Sequence, residues 1–282
     1  MSFLFHSRPH AAAARAALVS ILLITAGTDA RAGTIGFKTD AKVTAGPGID
    51  AEVTLTHTGD EMASDVRVEA ELLGKTVDGE KVPAIAPGQN HVWKFHMADQ
   101  IARGSYAIVL RAHYSDANGY EFEIISTAVA PVGISPAPKI FGSLDVPSLA
   151  VGGQATATLN LKKPSERSGS FEVRLVAPSG FDVTPDHVTL DFASGDKTST
   201  QFHVRNKDLL AGTSVNLFAF VTGNDAGFPQ TDTIRGMARI TAAKVKVTSR
   251  QFYYAAAALA ALLVLLEGLW LAGVISRHRE TA

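Results

Sequence analysis

Between Gly33 and Arg250, apolar and polar residues alternate with a period of two in short runs. Val53 and Leu55 alternate with Thr54 and Thr56, and Val66, Val68 and Ala70 with Arg67, Glu69 and Glu71. Trp93, Phe95 and Met97 alternate with Val92, Lys94 and His96, and Tyr106, Ile108 and Leu110 with Ala107, Val109 and Arg111. Runs of this period, enriched in β-branched and aromatic residues, predict strands with one buried face. Turn residues break the runs at Thr58-Gly59-Asp60, Val77-Asp78-Gly79, Ala86-Pro87-Gly88 and Ala117-Asn118-Gly119. No segment of this middle region holds a 3.6-residue period over three turns. Short strands at this spacing predict β-sandwich architecture.

The two ends depart from this alternation. Arg8, His10 and Arg15 precede the 11-residue apolar run Ala16 to Ala26, which is too short for a bilayer core of ~30 Å. Ala30-Arg31-Ala32 then supplies small residues where a signal peptidase reads them, so residues 1–32 are expected to be a signal peptide cleaved before Gly33. The second apolar run, Phe252 to Ile275, reaches ~36 Å as a helix, enough to span with some tilt. Tyr253, Tyr254 and Trp270 lie toward its ends, where interfacial aromatics belong. Glu267 interrupts it. A charge at the centre of a span costs ~3 kcal/mol, against ~0.3–0.6 returned by each Leu, Ile, Val or Phe, so insertion is still expected. An exported N-terminus orients the span with the bulk outside and a short tail, 276–282, inside.

Ile134-Ser135-Pro136-Ala137-Pro138-Lys139 is the expected linker, two prolines favouring extended backbone. It divides the exported part into 33–133 and 140–246, with a stalk at 247–251 before the span at 252–275. The halves answer each other in order and spacing: VTLTHTGD and TATLNLKK, DVRVEAELL and SFEVRLVAPSG, ARGSYAIVLRAHYSDANG and LAGTSVNLFAFVTGNDAG. The order Thr56 to Asp60, Ala86 to Gln89, Gly104 to Tyr106 and Tyr114 to Gly119 resembles the bacterial immunoglobulin-like domains described as cell-adhesion-related. It is also similar to the accessory sandwich beside α-galactosidase catalytic domains, whose Pro-x-Gly-aromatic corner is matched by Ala177 to Val183; Gly212-Thr213-Ser214 departs from the family's Gly-x-Tyr. Alternation, the resemblance and the apolar run at 252–275 together give the expected fold: all-β, two tandem immunoglobulin-like β-sandwiches followed by one C-terminal transmembrane α-helix. The motifs of the resemblance are turn and core residues, which specify fold and leave function open.

Composition narrows the chemistry. Across 282 residues, 26 basic side chains meet 27 acidic ones, a balance that argues against a nucleic-acid partner. The absence of cysteine excludes disulfides, cysteine-ligated metals and thiol catalysis. His57, His91, His96, His113, His187 and His203 are scattered without His-x-His or HExxH spacing, and no metal site is predicted. Asp116-Ala117-Asn118-Gly119 reads as a hairpin turn rather than a calcium loop. Neither a Gly-x-Ser-x-Gly nor a glycine-rich phosphate loop occurs, so no catalytic residue and no cofactor are predicted. Trp93 shares a strand face with Phe95 and Met97 and belongs in the core, which leaves Tyr120 as the aromatic for any glycan contact.

One constellation remains. At 100° per residue Ala256, Ala260 and Glu267 fall within about 40° of one another on the span, a small-residue stripe beside a carboxyl that suits a partner helix. The expected function is a non-catalytic, membrane-anchored extracytoplasmic subunit of a bacterial envelope protein complex, contacting the lipid bilayer and a protein partner. The alternatives are a tethered carbohydrate-binding or adhesion module, and an accessory subunit that positions a separate enzyme. The expected location is the cytoplasmic (inner) membrane, single-pass, with the bulk periplasmic.

Overall fold

The computed structural model describes residues 34–46, 48–135, 138–165, 167, 169–192, 195–225, 227–242 and 249–271. The expected signal peptide and cytoplasmic tail lie outside the described residues. Among the described residues the chain is all-β, with sandwich-like sheets and a single helix of 23 residues.

The first unit contains β1 (Phe37–Ala45), β2 (Ile49–His57), β3 (Ala63–Leu72), β4 (Lys75–Asp78), β5 (Val82–Ile85), β6 (Asn90–Ala98), β7 (Gly104–Ser115) and β8 (Glu121–Val132). β1-β2-β6 form one sheet, while β3 pairs with β4, β5 and β7, and β7 pairs with β8. The second unit contains β9 (Phe141–Asp145), β10 (Leu149–Ala150), β11 (Gln154–Lys162), β12 (Ser170–Val176), β13 (Phe181–Thr184), β14 (His187–Asp191), β15 (Lys197–Asn206), β16 (Ser214–Asp225) and β17 (Phe228–Thr241). Its sheets are β13-β15-β11-β9 and β14-β12-β16-β17. The strand order of the first unit is thus repeated: β1, β2 and β6 correspond to β9, β11 and β15, and β3, β7 and β8 to β12, β16 and β17.

Alternation sets each core. Val53, Leu55, Val66, Val68, Trp93, Phe95, Ile108 and Leu110 are buried in the first, and Leu159, Leu161, Phe171, Val173, Phe202, Val204, Leu217 and Ala219 in the second. Trp93 donates its indole N–H to the Glu80 carbonyl at 2.9 Å, which satisfies its polar edge. Gly79 lies under that ring: a Cβ there would come within 2.6 Å of Trp93 Cδ1, so the position takes only glycine. The break expected at Val77-Asp78-Gly79 falls between β4 and β5, outside the β3–β4 hairpin turn. The β3–β4 turn is Leu73-Gly74, between the paired Leu72 and Lys75, with φ of 50° and 76°. Positive φ at both central residues makes it a type I′ turn.

The two units are not beads on a string. β17 meets β7 in a parallel bridge at Gln230 and Ser105, joining both halves into one ten-stranded sheet. A third apolar cluster, Val109, Ile125, Val176, Phe218 and Phe220, lies between the units. Val109, expected on the polar face of its strand, is 2% exposed. β7 and β16 bury both faces, which accounts for their unbroken apolar runs, Tyr106 to Leu110 and Leu217 to Val221.

Helix α1 (Ser249–Leu271) follows, and Ser249 to Gln251 of the expected stalk belong to it. Among the described residues no helix is long and apolar enough to cross a membrane. Several α1 side chains, Ala256, Leu263, Glu267 and Trp270 among them, and all of 272–275 lie outside the description.

Candidate functional site

The apolar seam between the units leaves an open cleft of about 1000 Å³ beside it. Thr34 to Thr39 and Phe122 to Thr127 line one wall, and Leu209 to Asn216 with Arg235 and Met237 line the other. Thr34 is pinned at the mouth: its N–H and its hydroxyl both donate to Asp60, at 2.6 and 3.0 Å. The backbone N–H of Thr34 holds the Asp60 carboxyl below its ordinary range, and the hydroxyl adds to this.

Glu123, one of the residues lining the cleft, belongs to an ion pair that is largely buried. Glu123 on β8 accepts from Arg111 Nη1 on β7 at 2.6 Å and from the Ser179 N–H of the second unit at 2.9 Å. Arg111 also donates to the Ala177 carbonyl at 3.3 Å, so both members reach across the interface. Burial pushes the Glu123 carboxyl up, but hydrogen bonds from Ser179 and the Arg111 guanidinium hold it below its ordinary value. Further along, Arg174 donates to Glu71 through both terminal nitrogens, each at 3.1 Å. Arg103 stacks on Phe228 at 4.7 Å. Within the second unit Arg167 is 2% exposed, pairs with Asp232 and lies over Phe171 at 5.3 Å. Asp232 also accepts the Ile140 N–H, which ties the start of the second unit to β17.

The histidines do not gather. His57 is buried; its Nδ1 accepts from the Gly59 N–H at 3.1 Å, and Phe37 meets its ring edge-on. His91 packs on Trp93, and His96 faces outward on the opposite side of β6. The two ring nitrogens of His96 contact Asp50 at 2.7 Å and Asp99 at 2.8 Å. These carboxylates, Asp50 foremost, raise its affinity for a proton. They sit at opposite edges of the ring, a geometry that brackets an imidazolium and does not converge on one ion. Among the described residues no three His, Asp or Glu side chains could hold a metal. Burial pushes the Tyr114 hydroxyl up to about 12. In the Asp116 loop, Oδ1 accepts from the N–H groups of Asn118 and Tyr120, both at 2.9 Å, forming an Asx-type turn with only Gly119 at positive φ.

Ala256, Ala260 and Glu267 share α1. Ala260 is exposed, while the side chains of Ala256 and Glu267 lie outside the described residues. The inter-unit residues Arg111, Glu123, Val109, Phe218 and Phe220 were not predicted as a group. The available signal was the loss of alternation in β7 and β16.

No family model matches the chain, and no curated protein matches its sequence. Among solved structures, trypsin-activated alpha-2-macroglobulin from Escherichia coli is similar over 77% of this chain and 18% of its own, at 12% identity and a TM-score of 0.31. A protein of unknown function from Porphyromonas gingivalis W83 is similar over 72% of this chain and 99% of its own, at 14% identity and a TM-score of 0.27. Red sea bream transglutaminase is similar over 79% of this chain and 33% of its own, at 12% identity and a TM-score of 0.24. The chain thus spans less than a fifth of the macroglobulin it matches, and likenesses at these TM-scores carry no argument about what it does.

Proposed function

We propose that this chain is a non-catalytic, membrane-anchored extracytoplasmic subunit of a bacterial envelope protein complex, in which a span at 252–275 holds two immunoglobulin-like sandwiches at the inner membrane. The observation that carries this reading is α1. Leu259, Val264 and Leu265 are 61%, 71% and 60% exposed, and they point in different directions around the helix. A helix apolar all round belongs in a core or in lipid, and these side chains lie in no core. The repeated order of strands across the two units supports the immunoglobulin-like reading. Ala256, Ala260 and Glu267 are the proposed contact with a partner helix.

The test is extraction followed by co-purification. The full chain should stay in the membrane fraction through an alkaline carbonate wash and bring a defined set of proteins in mild detergent. Replacing 252–275 with an unrelated span should remove those proteins, and Glu267→Leu should weaken their recovery more than Glu267→Gln. Release by carbonate would overturn the anchor. Full recovery with the unrelated span would overturn the helix contact and leave the paired units as the binding surface.

A further inference from the structure

The two units stand side by side with the same end down. β7 and β17 run parallel from their bridge at Ser105 and Gln230, so Ser115 and Thr241 finish at one end. Contacts farther along agree: Glu123 reaches Ser179, and Glu61, Asp116 and Leu210 line the same cleft. This is the end from which the chain leaves for α1. The Thr241 carbonyl accepts the Val151 N–H at 3.2 Å, and the Ile240 carbonyl accepts the Gly212 N–H at 2.9 Å. The loops 151–153 and 207–213 therefore flank the exit point.

Four loop tips at this end expose large apolar side chains: Met62 at 51%, Tyr120 at 59%, Val151 at 42% and Leu210 at 51%. Met62 precedes β3, whose Ser64 pairs with Ser115, and Tyr120 caps the β7–β8 hairpin. Single exposed apolar residues are ordinary on a surface, but four on separate loops sharing one end of two units are a face. Only the six residues 243–248 separate Ala242 from Ser249, so the helix begins within about 25 Å of this face.

We propose that this end of both units rests on a lipid bilayer, with Met62, Tyr120, Val151 and Leu210 inserted at the headgroup–acyl boundary. The proposal rests on the anchor reading above and adds a second, peripheral attachment to it. Aromatic and aliphatic tips are the side chains that partition into this boundary. Charge does not supply the attraction: Asp60, Glu61, Asp65, Asp116, Glu121 and Asp208 at this end outnumber Lys81, Arg205, Lys207 and Arg239. The recognised surface is therefore a neutral, zwitterionic bilayer, and anionic lipid adds nothing to it.

The chain has no cysteine, so single labelled cysteines report one position each. The full chain is reconstituted in phosphatidylcholine nanodiscs carrying a nitroxide at Met62→Cys, Val151→Cys or Leu210→Cys. Lys75→Cys, on the far β3–β4 hairpin, and Leu262→Cys, on α1, serve as references. Collision with dissolved oxygen should exceed collision with a water-soluble nickel complex several-fold at 62, 151, 210 and 262, and the reverse should hold at 75. Labels at 62, 151 and 210 that match 75 while 262 remains in lipid would overturn this proposal and leave the anchor standing. A label at 262 that matches 75 would overturn the anchor reading itself. Equal results with added phosphatidylglycerol are expected, and a rise in lipid contact only when it is present would overturn the neutral-surface assignment.

Discussion

At the residue scale the most consequential pair is Arg111 and Glu123, because each bonds across the interface as well as to the other. Removing one partner of a buried pair typically costs ~3–5 kcal/mol, and the low end applies here because the Arg111 side chain keeps 22% of its exposure. Glu123→Gln should therefore destabilise the chain in chemical denaturation, while Arg111→Met combined with Glu123→Met should lose less than either single change. The pair also sets a pH dependence. Glu123 has a folded value below its ordinary 4.5, so its contribution is complete above that value and is lost as pH falls through the lower folded value. Melting curves of the native chain should fall more steeply below about pH 4.5 than those of Glu123→Gln. A parallel fall in both would show that this carboxylate is not the group responsible. Nothing local in the sequence singles it out, because its partners lie 12 and 56 residues away.

At the element scale the strands with one buried face were legible, since Val53, Leu55, Trp93 and Phe95 fall inward where alternation puts them. Two features escaped for physical reasons. Gly79 looks like a turn residue but is glycine because Trp93 packs on its backbone. The turn itself uses Leu73, a residue without turn chemistry, held at φ 50°. Left-handed backbone costs an ordinary L-residue ~1–2 kcal/mol, and asparagine tolerates it better. Leu73 is 68% exposed, so it has little packing to lose. Leu73→Asn should gain about 1 kcal/mol and raise the melting temperature by about 2–4 °C in a body of this size. An unchanged or lower midpoint would count against the type I′ assignment. β7 and β16 hid their second buried face because a run such as Leu217 to Val221 fits a doubly covered strand and a core segment alike.

At the scale of the whole molecule, the repeated order of strands was visible in the sequence, but the docking of one unit on the other was not. It depends on outward residues of β7, β8, β12 and β16 that gain meaning only when the strands are placed. Phe218 and Phe220 belong to the inter-unit cluster, separate from either core. Phe218→Ser with Phe220→Ser should loosen the pair while leaving β-sheet content intact by circular dichroism. The radius of gyration by X-ray scattering should rise, and protease should reach the segment 134–139 sooner. An unchanged radius would mean that the polar contacts suffice. The folded-back arrangement has a further consequence, for reach. The twelve residues of β7 extend about 40 Å. Two such units end to end would stand about 80 Å tall, whereas side by side they stand about half that and are twice as broad. The repeated strand order thus builds a low platform in place of a stalk, and if its Ser115–Thr241 end rests on a bilayer as proposed, anything that engages the far edge near Lys75 must come within about 40 Å of that bilayer.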